Sequence, residues 1–213
     1  MTDRLKTIFS ALPNCKTFAD VGCDHGYIAK AMMDFNKCES AIISDVSAKC
    51  LVKAETLLKE YILAGKVTAV VSDGFDKIAS CDLALIAGMG GEEICSIITR
   101  AKNLPKTLAL QPMKNCDKVR KVAVEKGYKI IKDFLFKSAD KFYDFILLEK
   151  GEDFLTEEEI VFGRDNIKGE NPAFIEALKI RAEKLSEYLN NGALKSVERE
   201  KLSLELERIK KYV

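Results

Sequence analysis

The chain has 213 residues, of which 47% are hydrophobic and 31% are charged, and its formal net charge is +1. This length fits one ordinary domain plus a smaller remainder. No apolar run reaches the roughly 20 residues of a membrane span, and the first 16 residues lack the apolar core of a secretory signal. Seven cysteines without any Cys-x-x-Cys spacing argue against a disulfide scaffold or a zinc site, and they predict a cytoplasmic protein.

Short apolar runs alternate with helical patterns up to residue 150. The predicted strands cover Thr17–Val21, Ala41–Ser44, Val67–Val71, Leu83–Ala87, Thr107–Leu110, Lys129–Phe136 and Phe142–Leu148. The predicted helices cover Tyr27–Phe35, Ala48–Ala64, Glu92–Lys102 and Asp117–Lys126. This alternation predicts an α/β fold with a doubly wound, mostly parallel sheet of seven strands. The last two strands follow each other directly, which predicts an antiparallel hairpin at one edge.

The pattern changes after residue 150, so the sequence predicts one domain at 1–150 and a helical segment at 151–213. Asn171-Pro172 begins a helix with proline in its first turn. A stripe at helical spacing follows, formed by Phe174, Leu178, Arg181, Leu185, Leu189, Leu202, Leu206, Ile209 and Val213. A turn at residues 190–192 divides the stripe, which predicts an antiparallel, coiled-coil-like hairpin. The pattern leaves open whether this hairpin is a packing appendage or a substrate clamp.

A glycine-rich turn follows the first predicted strand and reads D-V-G-C-D-H-G over residues 20–26. An acid, then glycines, then a helix is typical of α/β folds that bind a nucleoside-bearing cofactor, because glycine lets the backbone approach the ligand. The turn lacks the G-x-G-x-x-G of dinucleotide sites, which argues against a nicotinamide oxidoreductase. Its D-x-G-x-x-x-G spacing is close to the turn of S-adenosylmethionine-dependent methyltransferases, with Asp24 where the middle glycine would be.

Two further acids end the second and third predicted strands. Asp45, followed by Val46, can accept hydrogen bonds from both ribose hydroxyls of a nucleoside, and Asp73, followed by Gly74, can accept one from an adenine amino group. Each acid has a local alternative, since an acid can cap a helix and Asp-Gly is a common turn. Their coincidence at the carboxyl ends of neighbouring strands, where open α/β sheets bind ligands, favours the cofactor interpretation.

The fourth and fifth strands also end in candidate binding segments. Strand four is followed by Gly88, Met89, Gly90 and Gly91, where the backbone can approach a flat substrate or the cofactor. The Asn/Asp-Pro-Pro-Tyr motif of many methyltransferases that act on exocyclic amines is absent from this position. Gln111 and Pro112 end strand five. The amide of Gln111 can bind a base edge, although a proline turn alone also explains the pair.

Four runs carry a resemblance to a known family: DVGCDHGYIA at 20–29, AGMGGEEI at 87–94, LQPM at 110–113 and KFYDFILLEK at 141–150. They resemble, in the same order, the bacterial tRNA (adenine-N1)-methyltransferases that modify position 22, which usually read D-I-G-S-D-H-A-Y-L-P, G-M-G-G, L-Q-P-N and K-I-Y-E. The resemblance covers essentially the whole chain. The departures are Cys23 for Ser, Gly26 for Ala, Ala29 for Pro and Met113 for Asn, and the last removes an amide from any base contact there.

The resemblance implies a class I methyltransferase fold, S-adenosylmethionine as methyl donor, and tRNA as the acceptor that the helical hairpin helps to hold. It places the cofactor against Asp20, Gly22, Cys23, Gly26, Asp45, Val46, Asp73, Gly74, Gly88 and Met89. The expected substrate-binding residues are His25, Tyr27, Gly90, Gly91, Gln111, Pro112 and Tyr143. No metal is expected, and a monomer is the favoured oligomeric state.

Asp24 is the predicted catalytic residue. Unpaired adenine offers a lone pair at N1 and the sulfonium methyl is already activated, so the protein has mainly to position the two. A carboxylate nearby would stabilise the positive charge that methylation leaves on the base. His25, the only histidine, is either structural or catalytic, and Tyr27 and Tyr143 are candidates for stacking on a base.

Residues 100–141 carry 12 Lys and Arg against 4 Asp and Glu. Such a segment forms either a solvated face or a patch that binds the phosphate backbone of tRNA. Two alternative functions remain at this stage: methylation of another RNA adenine, and a non-catalytic module that binds S-adenosylmethionine or RNA.

Overall fold

The computed structural model describes residues 1–190 and 196–213. Its strands are β1 (Thr17–Val21), β2 (Ser40–Asp45), β3 (Val67–Val71), β4 (Leu83–Met89), β5 (Thr107–Pro112), β6 (Tyr128–Ser138) and β7 (Lys141–Lys150). The first six helices are α1 (Asp3–Ala11), α2 (Tyr27–Asp34), α3 (Ala48–Leu57), α4 (Lys59–Leu63), α5 (Gly91–Arg100) and α6 (Cys116–Glu125). The remaining described helices are α7 (Glu157–Phe162), α8 (Arg164–Lys168), α9 (Pro172–Asn190) and α10 (Ser196–Ile209).

The strands form one sheet in the order β3-β2-β1-β4-β5-β7-β6. The first five strands are parallel, and β7 runs antiparallel to both β5 and β6. This confirms the predicted doubly wound sheet and its edge hairpin. The chain builds outward from β1 to β3 and then returns to place β4 on the other side of β1. Open α/β sheets bind ligands at such a switch point, beyond the carboxyl ends of the strands.

Both faces of the sheet are covered, because successive side chains of a strand point to opposite sides. Phe18 of β1 and Leu85 of β4 belong to a buried cluster with side chains of α1, α2 and α3. Their neighbours Ala19 and Ile86 belong to a second buried cluster with side chains of α5 and α6. This explains why the strands read as continuous apolar runs.

Two helical segments differ from the prediction in the first 150 residues. Helix α1 was not predicted; the Thr2 side chain caps its N-terminus by accepting from the Leu5 N–H, and Ile8 is fully buried. The helix predicted over 48–64 is two helices, α3 and α4, separated by a turn at Leu58. Leu58 itself is fully buried, so core packing holds the chain at the point where the helix breaks.

The predicted C-terminal hairpin is formed by α9 and α10 only. The Arg181–Glu205 ion pair, with Nε and Oε1 2.8 Å apart, joins the two antiparallel helices, and the buried side chains of Leu185 and Leu206 form part of their common core. The predicted turn at 190–192 lies outside the described residues from position 191 onward. Val213 was expected in the apolar stripe but is 46% exposed, and the Tyr212 side chain packs there instead.

The short helices α7 and α8 were also missed by the sequence pattern, and a buried arginine connects α7 to the sheet. Arg120 of α6 is 1% exposed and forms ion pairs with Asp133 of β6 and Asp144 of β7. Its Nη1 donates to the carbonyl oxygens of Ile160 and Val161 in α7. Arg120 belongs to the basic segment at 100–141, and because it is buried it contributes neither to a solvated face nor to a patch that binds phosphate.

Candidate active site

The loop between β1 and α2 curls tightly at the carboxyl edge of the sheet. Gly22, Asp24 and Gly26 have positive φ angles of 73°, 47° and 70°. The N–H groups of Gly22 and Cys23 both donate to the Ser44 carbonyl oxygen of β2, at 2.8 and 2.9 Å. These bonds hold the loop against the end of β2. Asp24 adopts a left-handed conformation without being glycine, which is uncommon and is concentrated at functional sites.

Asp20 lies under this loop and is only 6% exposed. Its Oδ2 accepts a hydrogen bond from the Ala29 N–H in α2, at 3.2 Å. Burial raises the pKa of Asp20 to about 7, because the carboxylate loses its hydration and this single N–H offsets only part of the cost. The first predicted cofactor residue is therefore an acid that titrates near neutral pH and faces a small cavity.

The rim of this cavity is polar and accessible. Asp24 Oδ2 lies 2.7 Å from His25 Nδ1, and the Asp24 side chain is 64% exposed. The His25 ring stacks on the Tyr27 ring, with the centroids 5.5 Å apart and the planes 6° from parallel. The predicted catalytic residue and two predicted substrate-binding residues thus form one row at the surface, where a base can reach them.

The acids after β2 and β3 have different partners. Asp45 accepts hydrogen bonds from the N–H groups of Ser47, at 2.8 Å, and of Asp24, at 3.4 Å. Ser47, and not Asp45, caps α3 by accepting from the Cys50 N–H, so the capping alternative for Asp45 is wrong. The second of these bonds joins the end of β2 to the loop after β1.

The residues after β3 contact α5. Asp73 is exposed and forms a bidentate ion pair with Arg100 of α5. A Cβ on Gly74, whose φ is 56°, would lie 2.8 Å from Ile97 Cγ2, so packing against α5 already requires glycine there. Val46, placed with the cofactor by resemblance, is 67% exposed. The pairing of Asp73 was not visible in the sequence, because Arg100 is 27 residues away.

The carboxyl end of β4 and the start of α5 approach the loop from the other side. A β-bulge between Ala87 and Met89 ends the regular pairing of β4 with β5, and Gly88 has a φ of 82°. Bulges redirect side chains near functional sites. Here the Met89 side chain lies over Gly22 so closely that a Cβ on Gly22 would overlap Met89 Cε. A Cβ on Gly91, in the first turn of α5, would lie 2.5 Å from the Lys114 carbonyl oxygen.

Arg4 of α1 lines the site and was not singled out from the sequence. Its Nη1 donates to Gln111 Oε1 at 2.5 Å, and its Cζ lies 5.6 Å from the centroid of the Tyr143 ring. Gln111 is fully buried, and its Nε2 donates to the Pro112 carbonyl oxygen at 2.9 Å. Gln111 is therefore an internal partner of Arg4, and its amide is already occupied on both sides. The only sequence signal for Arg4 is its place in a helix that the pattern did not single out.

A cavity of about 100 Å³ opens between the loop and α1. It is lined by Arg4, Leu5, Asp20, Gly22, Cys23, Asp24, His25, Tyr27, Ile28, Leu85 and Ala87. The other predicted residues lie outside this lining, at the carboxyl ends of β2, β4 and β5, in the segments after β2, β3 and β4, at the start of α2 and on β7. Larger cavities of about 730 and 780 Å³ lie among the C-terminal helices and contain none of the predicted residues, so volume alone does not identify the site.

Other kinds of site find no support in the described part of the chain. Residues 1–190 include all seven cysteines, and each is a free thiol. No group of three or more His, Cys, Asp or Glu side chains among the described residues is arranged to hold a metal ion. Within the same residues, no helix combines the length and apolar character that crossing a membrane requires.

Comparisons with known proteins agree with this geometry. Residues 1–146 match the family described as a methyltransferase domain. A Mycoplasma pneumoniae protein, provisionally named a tRNA methyltransferase, is 32% identical over 155 residues, which cover 70% of this chain and 71% of that protein. Streptococcus pneumoniae Sp1610, provisionally named a tRNA (m1A22) methyltransferase, superimposes with a TM-score of 0.92 at 26% identity, covering 99% of this chain and 98% of its own.

A second structure of Sp1610 was solved in complex with S-adenosyl-L-methionine. It superimposes with a TM-score of 0.88 at 26% identity and covers 99% of each chain. The similarity therefore extends through the C-terminal helices as well as the sheet. On the sequence match over residues 1–146 and the shared fold, this chain belongs to the methyltransferase-domain family.

Proposed function

We propose that this protein transfers the methyl group of S-adenosylmethionine to N1 of the adenine at position 22 of tRNA. The main observation in support is that several predicted site residues meet at the switch point between β1 and β4. There the glycine-rich loop, the buried acid Asp20 and the exposed Asp24–His25 pair meet around one cavity. The relatives named as tRNA methyltransferases supply the substrate class and the position.

The residues around the loop fit a nucleoside-bearing cofactor. Gly22 and Gly26 present backbone in a left-handed conformation at the start of α2, where N–H groups face a ligand. Asp45 is half-buried beside the loop, and its carboxylate retains acceptor capacity for ribose hydroxyls. Asp73 is assigned to the adenine amino group. Its carboxylate is shared with Arg100, so we expect it to contribute less than Asp45.

With the cofactor against the loop after β1, five further residues are assigned to contact it. Cys23 lies in the loop between the two glycines, Val46 follows Asp45 with an exposed side chain, and Gly74 lets the backbone after β3 pack against α5. Gly88 and Met89 border the loop from β4. These residues provide backbone and apolar surface, and the charged groups provide the specific hydrogen bonds.

Bound S-adenosylmethionine supplies an electrophilic methyl group. The chain has then to orient unpaired adenine N1 toward it and to stabilise the positive charge that develops on the base. Asp24 is suited to this because its carboxylate is at the rim and its backbone is held by the bond from its N–H to Asp45. His25 holds the Asp24 carboxylate at 2.7 Å, which gives the histidine a positioning role.

The substrate base has one favoured stacking partner. Tyr27 is 45% exposed and lies next to His25, whereas the Tyr143 ring already contacts Arg4 and the Phe136 ring. We therefore assign base stacking to Tyr27 and a supporting role to Tyr143. Because N1 lies on the Watson–Crick edge, the target adenine has to be unpaired or flipped out.

Backbone contacts with tRNA are assigned to lysines near the site and to the α9–α10 hairpin. Lys114 is exposed and lies beside Gly90, with its Cε 3.5 Å from the place of a Cβ on that glycine. Gly90 and Gly91 themselves lead into α5 and are assigned to the approach of the substrate. A cytoplasmic location and a monomeric state remain predictions.

The proposal is tested with purified protein, S-adenosylmethionine and an unmodified tRNA transcript that has adenine at position 22. We expect one methyl group per tRNA, a reverse-transcription stop at position 22, and 1-methyladenosine after nuclease digestion. A transcript with guanine at position 22 is the matched control and should accept no methyl group. Methylation at another adenine would favour the alternative RNA substrate, and binding without turnover would favour the non-catalytic module.

A further inference from the structure

Arg4 carries a positive charge that no carboxylate neutralises in the part of the chain that the structure describes. Its side chain is half-buried, and its nearest polar partners are the neutral amide oxygen of Gln111, at 2.5 Å, and the sulfur of Met113, at 4.0 Å. Other arginines near the sheet, Arg100 and Arg120 among them, are paired with carboxylates. A partly desolvated guanidinium whose partners are neutral favours an anion as a further partner.

Contacts within the fold fix the orientation of the Arg4 side chain. It lies in the first turn of α1, which the Thr2 cap and the buried Ile8 hold against the sheet. Gln111 cannot easily rotate, because its Nε2 donates to the Pro112 carbonyl oxygen. The contacts of Nη1 with Gln111 and Met113 use two of the five N–H donors of the guanidinium. Nε and Nη2 keep the other three, which is enough for a two-pronged contact with a carboxylate.

Arg4 lines the same small cavity as Asp20, Gly22 and Asp24. It also lies against the end of β4, since a Cβ on Gly88 would be 3.4 Å from its Nη1. Apart from His25, it is the only cationic side chain in the cavity lining. The cavity, at about 100 Å³, is large enough for the end of an amino acid and too small for a nucleotide phosphate with its ribose.

We propose that Arg4 binds the α-carboxylate at the methionyl end of S-adenosylmethionine. The proposal rests on the proposed function. It also assigns Gln111 as a positioning residue for Arg4 in place of a contact with the base. An anionic phosphate of the target nucleotide is the other source of the same chemistry, and the experiment below separates the two.

The test compares two ligands that differ in the amino acid end. S-Adenosylhomocysteine carries the carboxylate, and 5′-methylthioadenosine keeps the adenosine and the sulfur but has no carboxylate. In calorimetric titrations, Arg4→Gln should weaken S-adenosylhomocysteine about 10- to 100-fold, the usual effect of losing a charge-assisted hydrogen bond. It should leave 5′-methylthioadenosine within about twofold of wild type. Arg4→Lys, which keeps the charge and loses the planar fork, should give an intermediate loss for the first ligand only.

Lys6→Gln is the matched control, because Lys6 is on the same helix and pairs only with the exposed Asp3. It should change neither affinity. Equal weakening of both ligands by Arg4→Gln would overturn the proposal in favour of a structural role. Unchanged affinity for both, with a higher KM for tRNA, would overturn it in favour of the phosphate. If wild type bound neither ligand, the cofactor assignment itself would fail, and that outcome is distinct because it does not depend on Arg4.

Discussion

Replacing Arg120 by methionine should destabilise the protein strongly although Arg120 does not line the cavity. Its Nε and Nη2 donate to the two carboxylate oxygens of Asp133 at 2.8 and 2.9 Å, and Nη2 also lies 2.9 Å from Asp144 Oδ1. A Cβ on Gly163 would lie 2.7 Å from Nη2, so the chain packs closely against the guanidinium. Methionine is similar in length, so Arg120→Met removes the charge and all five hydrogen bonds of the guanidinium while keeping much of the volume.

The expected magnitude follows from burial. Asp133 is fully buried, and without Arg120 only the Arg164 N–H, at 3.2 Å, would remain as a donor to its carboxylate. Removing one partner of a buried ion pair costs about 3–5 kcal/mol. Since about 1 kcal/mol lowers Tm by roughly 2–4 °C for a chain of this size, Arg120→Met should melt about 6–20 °C below wild type. Burial already raises the pKa of Asp133, so the deficit should shrink at lower pH as the orphaned carboxyl takes up a proton.

Thermal unfolding followed by circular dichroism measures this difference. Arg181→Met is the matched control, because the Arg181–Glu205 pair is also an arginine–carboxylate bridge but its side chains are 46% and 41% exposed. An exposed pair contributes about 0–1 kcal/mol, so this variant should melt within roughly 4 °C of wild type. If both variants melted alike, the buried network would contribute no more than a surface pair and the reasoning would be refuted.

Three further predictions concern the site. Asp24→Asn should lower single-turnover methylation about 100-fold with little change in cofactor affinity, because the lost charge acts mainly in the transition state. In wild type, folded Asp20 retains a proton that the unfolded chain releases, so the free energy of unfolding of wild type should fall as pH rises from about 4 to 7. Asp20→Asn cannot titrate there, so urea unfolding should show its stability rising relative to that of wild type through this window. Lys114→Glu should weaken tRNA binding and flatten its salt dependence, by removing a phosphate contact beside Gly90.

The predictions for Asp24, Asp20 and Lys114 can each be refuted by the same measurements. A near-normal rate for Asp24→Asn would leave positioning as the main source of catalysis, and His25→Ala should in any case be the milder change. Parallel stability curves for Asp20→Asn and wild type would show that this carboxyl does not titrate on unfolding. Lys59→Glu, on exposed α4, is the control for Lys114, and an equal loss of tRNA affinity in both variants would indicate a general charge effect.

The hydrophobic pattern of the sequence predicted much of the fold. Runs of Val, Ile, Leu and Phe predicted all seven strands, because strands covered on both faces need apolar side chains at every position. The neighbouring positions of Asp24 and Asp45 also followed from sequence. Parallel strands carry their carboxyl ends to one edge of the sheet, and the structure joins these two residues by a hydrogen bond across 21 positions. The helical stripe at 174–209 likewise predicted a pair of packed helices.

Tertiary structure alone decided which charged groups meet. Arg4 and Gln111 are 107 positions apart, and Asp73 pairs with Arg100 of a later helix. Arg120 is buried although the nearby Lys118 and Lys121 are exposed. Periodicity tells which face of an element is apolar. It does not tell which polar side chain of another element will lie opposite, because that depends on strand order and on how each helix is seated on the sheet. The sequence therefore indicated that the loop after β1 and the end of β2 lie together, whereas the fold alone decided which side chains of other elements, Arg4 among them, lie beside them.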